Sequence, residues 1–270
     1  MEVVKSGQSL KISERLPVVR NSYEHSLMRK SAYIASSALK RALNSIRVGI
    51  SELELNRIAE DEIYRLGGDL SYKSVPGYKF ATCITVNEEV VHGIPTARKI
   101  REGDLVSIDL ATVYKGWHAD CAWTILVKEK DGKSNKEKER FLKVGEEALW
   151  DGVAQAVSGN RIGDISEAIQ SKVEGLGYHI VRSLVGHGIG KKLHEDPEVA
   201  GYGKRGTGKD LKIGMSLAIE VIYTKGTPEV TLDKDGWTYS SADGSWGGLF
   251  EMTVVIGKRR AEVLTDWRHT

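Results

Sequence analysis

The octet Gly-Asp-Leu-Val-Ser-Ile-Asp-Leu at residues 103–110 returns at 214–221 as Gly-Met-Ser-Leu-Ala-Ile-Glu-Val, with glycine first and an acid seventh in each copy. Glu220 therefore stands where Asp109 stood. Each octet reads as a strand, and each is followed by another apolar run that carries one further acid, Asp120 in the first copy and Glu251 in the second. Upstream of each strand pair the order helix, helix, strand and histidine also recurs. A chain built this way folds as two equivalent α/β halves sharing one central sheet, an α+β architecture whose natural site is the cleft between the halves.

Taken in order, residues 1–24 lack periodicity and read as an N-terminal extension. Residues 25–270 read as a single domain, with halves over about 25–130 and 131–260. From Ser26 to Arg47 the residues Leu27, Ile34, Ala35, Ala38, Leu39, Ala42 and Ile46 keep helical spacing. Ser51 with Glu54 forms a capping box for a second helix, which Gly67-Gly68 ends. Thr82 to Val86 is a strand leading to Val91-His92-Gly93-Ile94-Pro95. The charged stretch from Lys128 to Glu139 is the expected internal boundary. Beyond it come a helix with Phe141, Val144, Ala148 and Leu149 on one side, and another starting at Asp164 with Glu167 as its capping partner. A strand from Ile180 to Val185 then leads to Gly186-His187-Gly188-Ile189-Gly190. Strand 215–223, a polar excursion holding Asp235-Gly236 and Asp243-Gly244, and strand 249–256 complete the second half.

The first strand pair breaks at Tyr114-Lys115-Gly116, a hairpin turn. Centred between Tyr114 and Lys115, that turn sets residues whose numbers sum to 229 opposite one another and faces Asp109 with Asp120. Directly opposed β-carbons lie about 4.5–5.5 Å apart, so two ionised aspartates there need a cation between them. Asp109, Asp120, His187, Glu220 and Glu251 gather four carboxylates and one imidazole in the cleft, with His92 and His194 nearby. Each like charge raises its neighbours' pKa, and two divalent metals would relieve the set. Oxygen-dominated ligation with one imidazole leaves manganese, iron, cobalt and zinc open. Strand alternation turns Cys121 away from Asp120, which argues against a thiolate site. Two metals about 3.5–4 Å apart share a bridging water and polarise a carbonyl, which is what amide hydrolysis requires.

Composition excludes several classes. A net charge of +2 gives no drive for specific nucleic-acid binding. The basic clusters Lys191-Lys192, Lys204-Arg205 and Lys258-Arg259-Arg260 read as solvated surface, with a weak ribosome contact the one anionic partner considered for them. Only two cysteines occur, Cys83 and Cys121, both in apolar runs, as expected of buried reduced thiols in the cytoplasm. No run is long enough for a membrane span, and the N-terminus lacks a signal-peptide core.

Val91-His92-Gly93-Ile94-Pro95, Ser107-Ile108-Asp109, His118-Ala119-Asp120, Gly186-His187-Gly188-Ile189-Gly190, His194-Glu195-Asp196-Pro197, Ile219-Glu220 and Phe250-Glu251 resemble the ordered motifs of type I methionine aminopeptidases. The likeness runs from about Leu27 to about Ile256. It implies a pita-bread fold and a cytoplasmic, monomeric exopeptidase that removes the initiator methionine from nascent chains whose second residue is small. By motif match it implies one metal on Asp109 and Asp120, with Asp120 bridging, and a second site completed by His187, Glu220 and a bridging Glu251. Glu220 would also take the proton of the attacking water, His194 would steady the oxyanion, and His92 would bond the substrate's backbone nitrogen. Tyr78, Cys83, Leu193 and Trp237 match positions lining a methionine pocket.

The chain departs from the family pattern at Val221 and Met252, where proline and histidine usually follow the two glutamates, and at Leu193, which replaces a usual aromatic. Two alternatives stand beside this reading. One is a pita-bread binding protein without catalysis, which the retention of all five ligand positions disfavours. The other is a proline-specific aminopeptidase, which the His-Gly-Ile-Pro element disfavours.

Overall fold

The computed structural model describes residues 19–128 and 135–270. Its elements, in chain order, are α1 (Ser22–Ser45), α2 (Glu52–Arg65), β1 (Asp69–Leu70), a single 3-10 turn (Ser71–Ser74), β2 (Cys83–Val86), β3 (Glu89–Val91), β4 (Leu105–Tyr114) and β5 (Trp117–Leu126). The second half contributes α3 (Lys136–Gln155), α4 (Ile162–Gly175), β6 (His179–Ile180), β7 (Gly186–Gly188), β8 (Glu195–Val199) and β9 (Ser216–Thr224). It closes with β10 (Val230–Leu232), β11 (Tyr239–Ser241), β12 (Gly247–Val255) and β13 (Glu262–Val263).

Local chemistry sets the helix ends. Ser51 Oγ accepts the Glu54 N–H while Glu54 Oε2 accepts the Ser51 N–H, the capping box read from the sequence. The same reciprocal pair, Asn21 with Glu24, starts α1 at Ser22, four residues before the expected start at Ser26. Residues 1–18 of the expected extension lie outside the described residues. In α4 the expected capping residue Asp164 instead sits in the first turn, where its carboxylate accepts the N–H of Arg161, so the N-cap is Arg161, three residues earlier than expected. Of the charged connector, residues 129–134 lie outside the described residues, and α3 has already begun at Lys136, capped by Asn135.

The principal sheet runs β1-β4-β5-β12-β9-β7-β8, with β2 also on β4, β13 on β12 and β6 on β9, and its named pairings are antiparallel. Helix α1 packs on β4 and β5, and α3 on β9 and β12, so the helices of both halves cover one face. Period-two alternation sends Ile108, Leu110, Cys121, Trp123, Ile219, Val221, Phe250 and Met252 into that helix-covered core. The opposite face is left for the cleft. Helix α3 approaches closely at Gly145, where a β-carbon would fall 2.5 Å from the Tyr223 hydroxyl and 2.6 Å from the Phe250 ring. That hydroxyl bonds the Phe141 carbonyl at 2.6 Å and locks helix to sheet.

Two sequence expectations need correction. The β4–β5 hairpin pairs Tyr114 with Trp117, so opposed residues sum to 231 and Asp109 faces Ala122, while Asp120 faces Ala111. The cause is the turn itself: Lys115 and Gly116 both take positive φ (49° and 76°), the type I′ geometry that makes them its two central residues. The expected strand from Ile180 to Val185 pairs only at His179–Ile180, with Thr224 and Tyr223 of β9. After Val181 the chain leaves the sheet, and Ser183, Leu184 and Val185 line the cleft instead. The polar excursion between β9 and β12 supplies β10 and β11, which join β3 in a small second sheet over the cleft.

Candidate metal centre

One row of residues crosses five strands on the open face of the sheet. Cys83 pairs with Asp109, Asp109 with Ala122, Ala122 with Glu251, and Glu251 with Glu220. Asp120 lies one period along β5 from Ala122, on the same face. His187 pairs with Ala218, one period along β9 from Glu220. The duplicated strands thus bring all five expected ligands to the seam where the two halves meet. Potential ligand atoms of Asp120, His187 and Glu251 fall within 4.8 Å of one another.

These residues line a cavity of about 850 Å³, together with His92, His194, Tyr78, Cys83, Leu193 and Trp237. Every site residue expected from the sequence therefore reaches one pocket. Lys191 and Lys192, expected as plain solvated surface, stand at its rim. Tyr78, Cys83 and Leu193 are buried in an apolar cluster with Tyr72, against which Trp237 packs, and the Tyr78 and Trp237 rings meet edge to face at 5.1 Å.

The electrostatics are those of several acids crowded into one buried cleft. Burial pushes the Asp109 carboxyl up to about 6, against the pull of hydrogen bonds from Tyr72 and Asp120. Glu220 rises to about 8 through burial and the charge of Asp109. Asp120 and Glu251 are driven well above the usual carboxylate range by burial and by their acidic neighbours. His187 is pressed down to about 3 by burial and by His194, whose ring centroid lies 4.5 Å away. Its Nδ1 faces the Gly188 carbonyl at 2.9 Å, so an Nδ1–H tautomer leaves the Nε2 lone pair free to ligate. Four acids that resist ionisation beside a neutral imidazole are a donor set that divalent metal ions satisfy.

The backbone of the site is clamped as well. Asp120 donates its N–H to Thr253 Oγ1 at 2.9 Å and accepts that hydroxyl on its carbonyl at 2.8 Å. Thr265, from the chain's last residues, takes the Thr253 N–H at 2.8 Å. His92 has a left-handed backbone (φ 58°), unusual for a non-glycine residue, and its ring meets Tyr239 of the small sheet edge to face at 5.9 Å. Burial within the cleft lowers its pKa to about 4, and burial lowers that of His194 too, so both rings are neutral near pH 7.

Sequence reasoning missed Tyr72, whose hydroxyl donates to Asp109 Oδ1 at 2.6 Å from the turn after β1. It also missed the two threonines. No spacing rule links these residues to the acids they support. Val221 and Met252, where the chain departs from the family pattern, are fully buried in the helix-side core and do not line the cavity.

A sheet of two duplicated halves, with acids from both converging on the seam, is the pita-bread arrangement of metal-dependent hydrolases. The chain belongs to metallopeptidase family M24, whose model matches residues 26–258. Among its relatives, the methionine aminopeptidase of Clostridium perfringens is 40% identical over 248 residues, covering 92% of this chain and 98% of that protein. Methionine aminopeptidase 1 of Bacillus subtilis is 38% identical over 248 residues, covering 92% and 98%. The crystal structure of methionine aminopeptidase from Thermotoga maritima superposes with a TM-score of 0.89 at 37% identity, over 93% of this chain and 99% of that one. A prolidase from Pyrococcus furiosus shares the fold, with a TM-score of 0.74 at 24% identity over 93% of this chain and 66% of its own length. Among the described residues, no helix is long and apolar enough to cross a membrane.

Proposed function

We propose that this chain is a metal-dependent aminopeptidase that removes the N-terminal methionine from nascent polypeptides with a small second residue, in the cytoplasm. The observation that carries the reading is the meeting, in one cavity, of four carboxylates and the His187 imidazole with an apolar wall of Tyr78, Cys83, Leu193 and Trp237. An unbranched, polarisable thioether suits such a wall. Relatives that the chain matches over 98% of their length and that bear the name methionine aminopeptidase support it further.

In this reading Asp109, Asp120, His187, Glu220 and Glu251 hold two divalent ions of the manganese, iron, cobalt or zinc type. When bound, those ions neutralise the carboxylates, polarise the scissile carbonyl and acidify water. The remaining work falls to the protein. Glu220 accepts the proton of the attacking water. The neutral His194 donates an N–H to the developing oxyanion, and the neutral His92 accepts the substrate's backbone N–H. The apolar wall orients the methionine side chain, and the cleft keeps bulk water from the reacting carbonyl.

Purified protein, stripped and reloaded with manganese or cobalt, is to be offered Met-Ala-Ser, Leu-Ala-Ser and Ala-Pro-Ala. The expected result is release of methionine from the first peptide alone. Turnover of only the proline peptide would replace the specificity, and no turnover with any metal would leave a binding protein.

A further inference from the structure

The segment between Gly188 and β8 carries His194 and has no regular structure of its own. Besides backbone bonds such as Ile189 N–H to the Ser216 carbonyl at 3.2 Å, one carboxylate ties it to the rest of the fold. Glu195 Oε1 accepts the Lys192 N–H at 3.0 Å, and its Oε2 receives the guanidinium of Arg20. Arg20 lies before α1, 175 residues away in sequence, and its side chain is 2% exposed. Its backbone N–H bonds the Gly214 carbonyl at 3.1 Å, its guanidinium lies 5.6 Å from the Trp117 ring, and a side chain at Gly190 would collide with it. The Gly190 carbonyl in turn accepts the His118 N–H at 2.8 Å. The guanidinium therefore fills the angle between the His194 segment and the start of β5. Breaking one side of a buried ion pair strands the other charge, so this contact fixes its neighbours firmly.

We infer that Arg20 is a positioning residue for the hydrolysis: through Glu195 it sets the backbone of His194, and with it the direction in which the imidazole meets the substrate. The inference rests on the oxyanion role proposed above for His194. Arg20 is not among the residues that line the cavity. A misplacement of the order of 1 Å in a group that meets the transition state is enough to cost catalysis without abolishing binding.

The test uses the full-length, metal-loaded enzyme with Met-Ala-Ser, comparing wild type with Arg20→Met, Arg20→Lys, Glu195→Gln, His194→Ala and the Arg20→Met/His194→Ala pair. Arg20→Met and Glu195→Gln should each lower kcat on the order of 10- to 100-fold while KM stays within about threefold. Arg20→Lys keeps the charge but not the planar fork and should recover only part of the loss. Since Arg20 acts through His194, the double variant should be no slower than His194→Ala alone. Wild-type kcat in Arg20→Met with a lowered melting temperature, or losses that multiply in the double variant, overturns the inference and leaves Arg20 a fold-stabilising residue. Full activity of His194→Ala removes the role given to His194 and the inference with it. A wild type that cleaves no methionine peptide fails the proposed function itself. Should Arg20→Met not fold, Glu195→Gln, which keeps the side-chain shape, carries the same comparison.

Discussion

Tyr72 donates its hydroxyl to Asp109 across 2.6 Å, joining the short turn after β1 to the middle of β4. The bond lies wholly inside the protein and favours the ionised carboxylate, but the burial cost outweighs it and leaves Asp109 raised to about 6. Support of this kind behind a ligand commonly governs metal affinity by about 10- to 100-fold. Tyr72→Phe should therefore weaken metal binding by about that factor while the fold persists. Activity followed against added manganese checks this: the half-saturation point should rise and saturating metal should restore most of the rate. An unchanged half-saturation point would show the hydroxyl to be irrelevant to the site.

Asp109→Asn removes a charge from the acidic row and should abolish turnover. Metal bound at 100 times its dissociation constant stabilises a protein by about 2.7 kcal/mol. Wild type should thus melt at a higher temperature with metal than after chelation, and Asp109→Asn should show a much smaller difference between the two conditions. A full metal-induced shift in the variant would remove Asp109 from the ligand set.

His25 gives a pH prediction away from the metal site. It is buried in α1, its Nε2 lies 3.1 Å from the Gly214 carbonyl, and burial holds its pKa below the ordinary 6.5. The unfolded chain therefore takes up a proton at this residue at a higher pH than the native protein does. The native state's advantage is complete above 6.5 and is lost as the pH falls below that value. His25→Gln should lessen this acid sensitivity, read as the difference in urea midpoint between pH 7 and pH 5.5. Parallel pH dependences for the two proteins would contradict it.

Thr265 carries a prediction for the chain's end. It is 1% exposed and accepts the Thr253 N–H beside Asp120. Thr265→Val keeps the volume but leaves that buried N–H without a partner, a cost of about 1–3 kcal/mol. Urea denaturation should register the loss as a lower midpoint with the same slope. A midpoint equal to wild type would mean that another acceptor reaches Thr253.

The register of the first hairpin shows where sequence reading ends. The acids, the glycines and the duplicated order are written in the chain, and strand alternation correctly separated Asp120 from Cys121. Yet the pairing of Asp109 with Asp120 was displaced by two positions, because two positive φ values in the turn, and not the residue types around it, decide which strand residues face each other. A shift by two keeps every side chain on its face, so the convergence survived the error. The strand expected to run to Val185 failed differently, since an apolar run describes a paired strand and a cavity wall equally well.

The local sequence determined the helix caps at Ser51, the alternation of each strand, and the recurrence that supplies acids from both halves, since these depend on backbone geometry and on neighbours a few residues apart. Only the tertiary structure decided that Tyr72 reaches Asp109, that Thr253 and Thr265 clamp Asp120, and that Arg20 closes on Glu195. Each of these is a contact between distant segments, made because buried polar groups must be hydrogen-bonded by whatever the fold brings near them, and no local pattern along the chain encodes it.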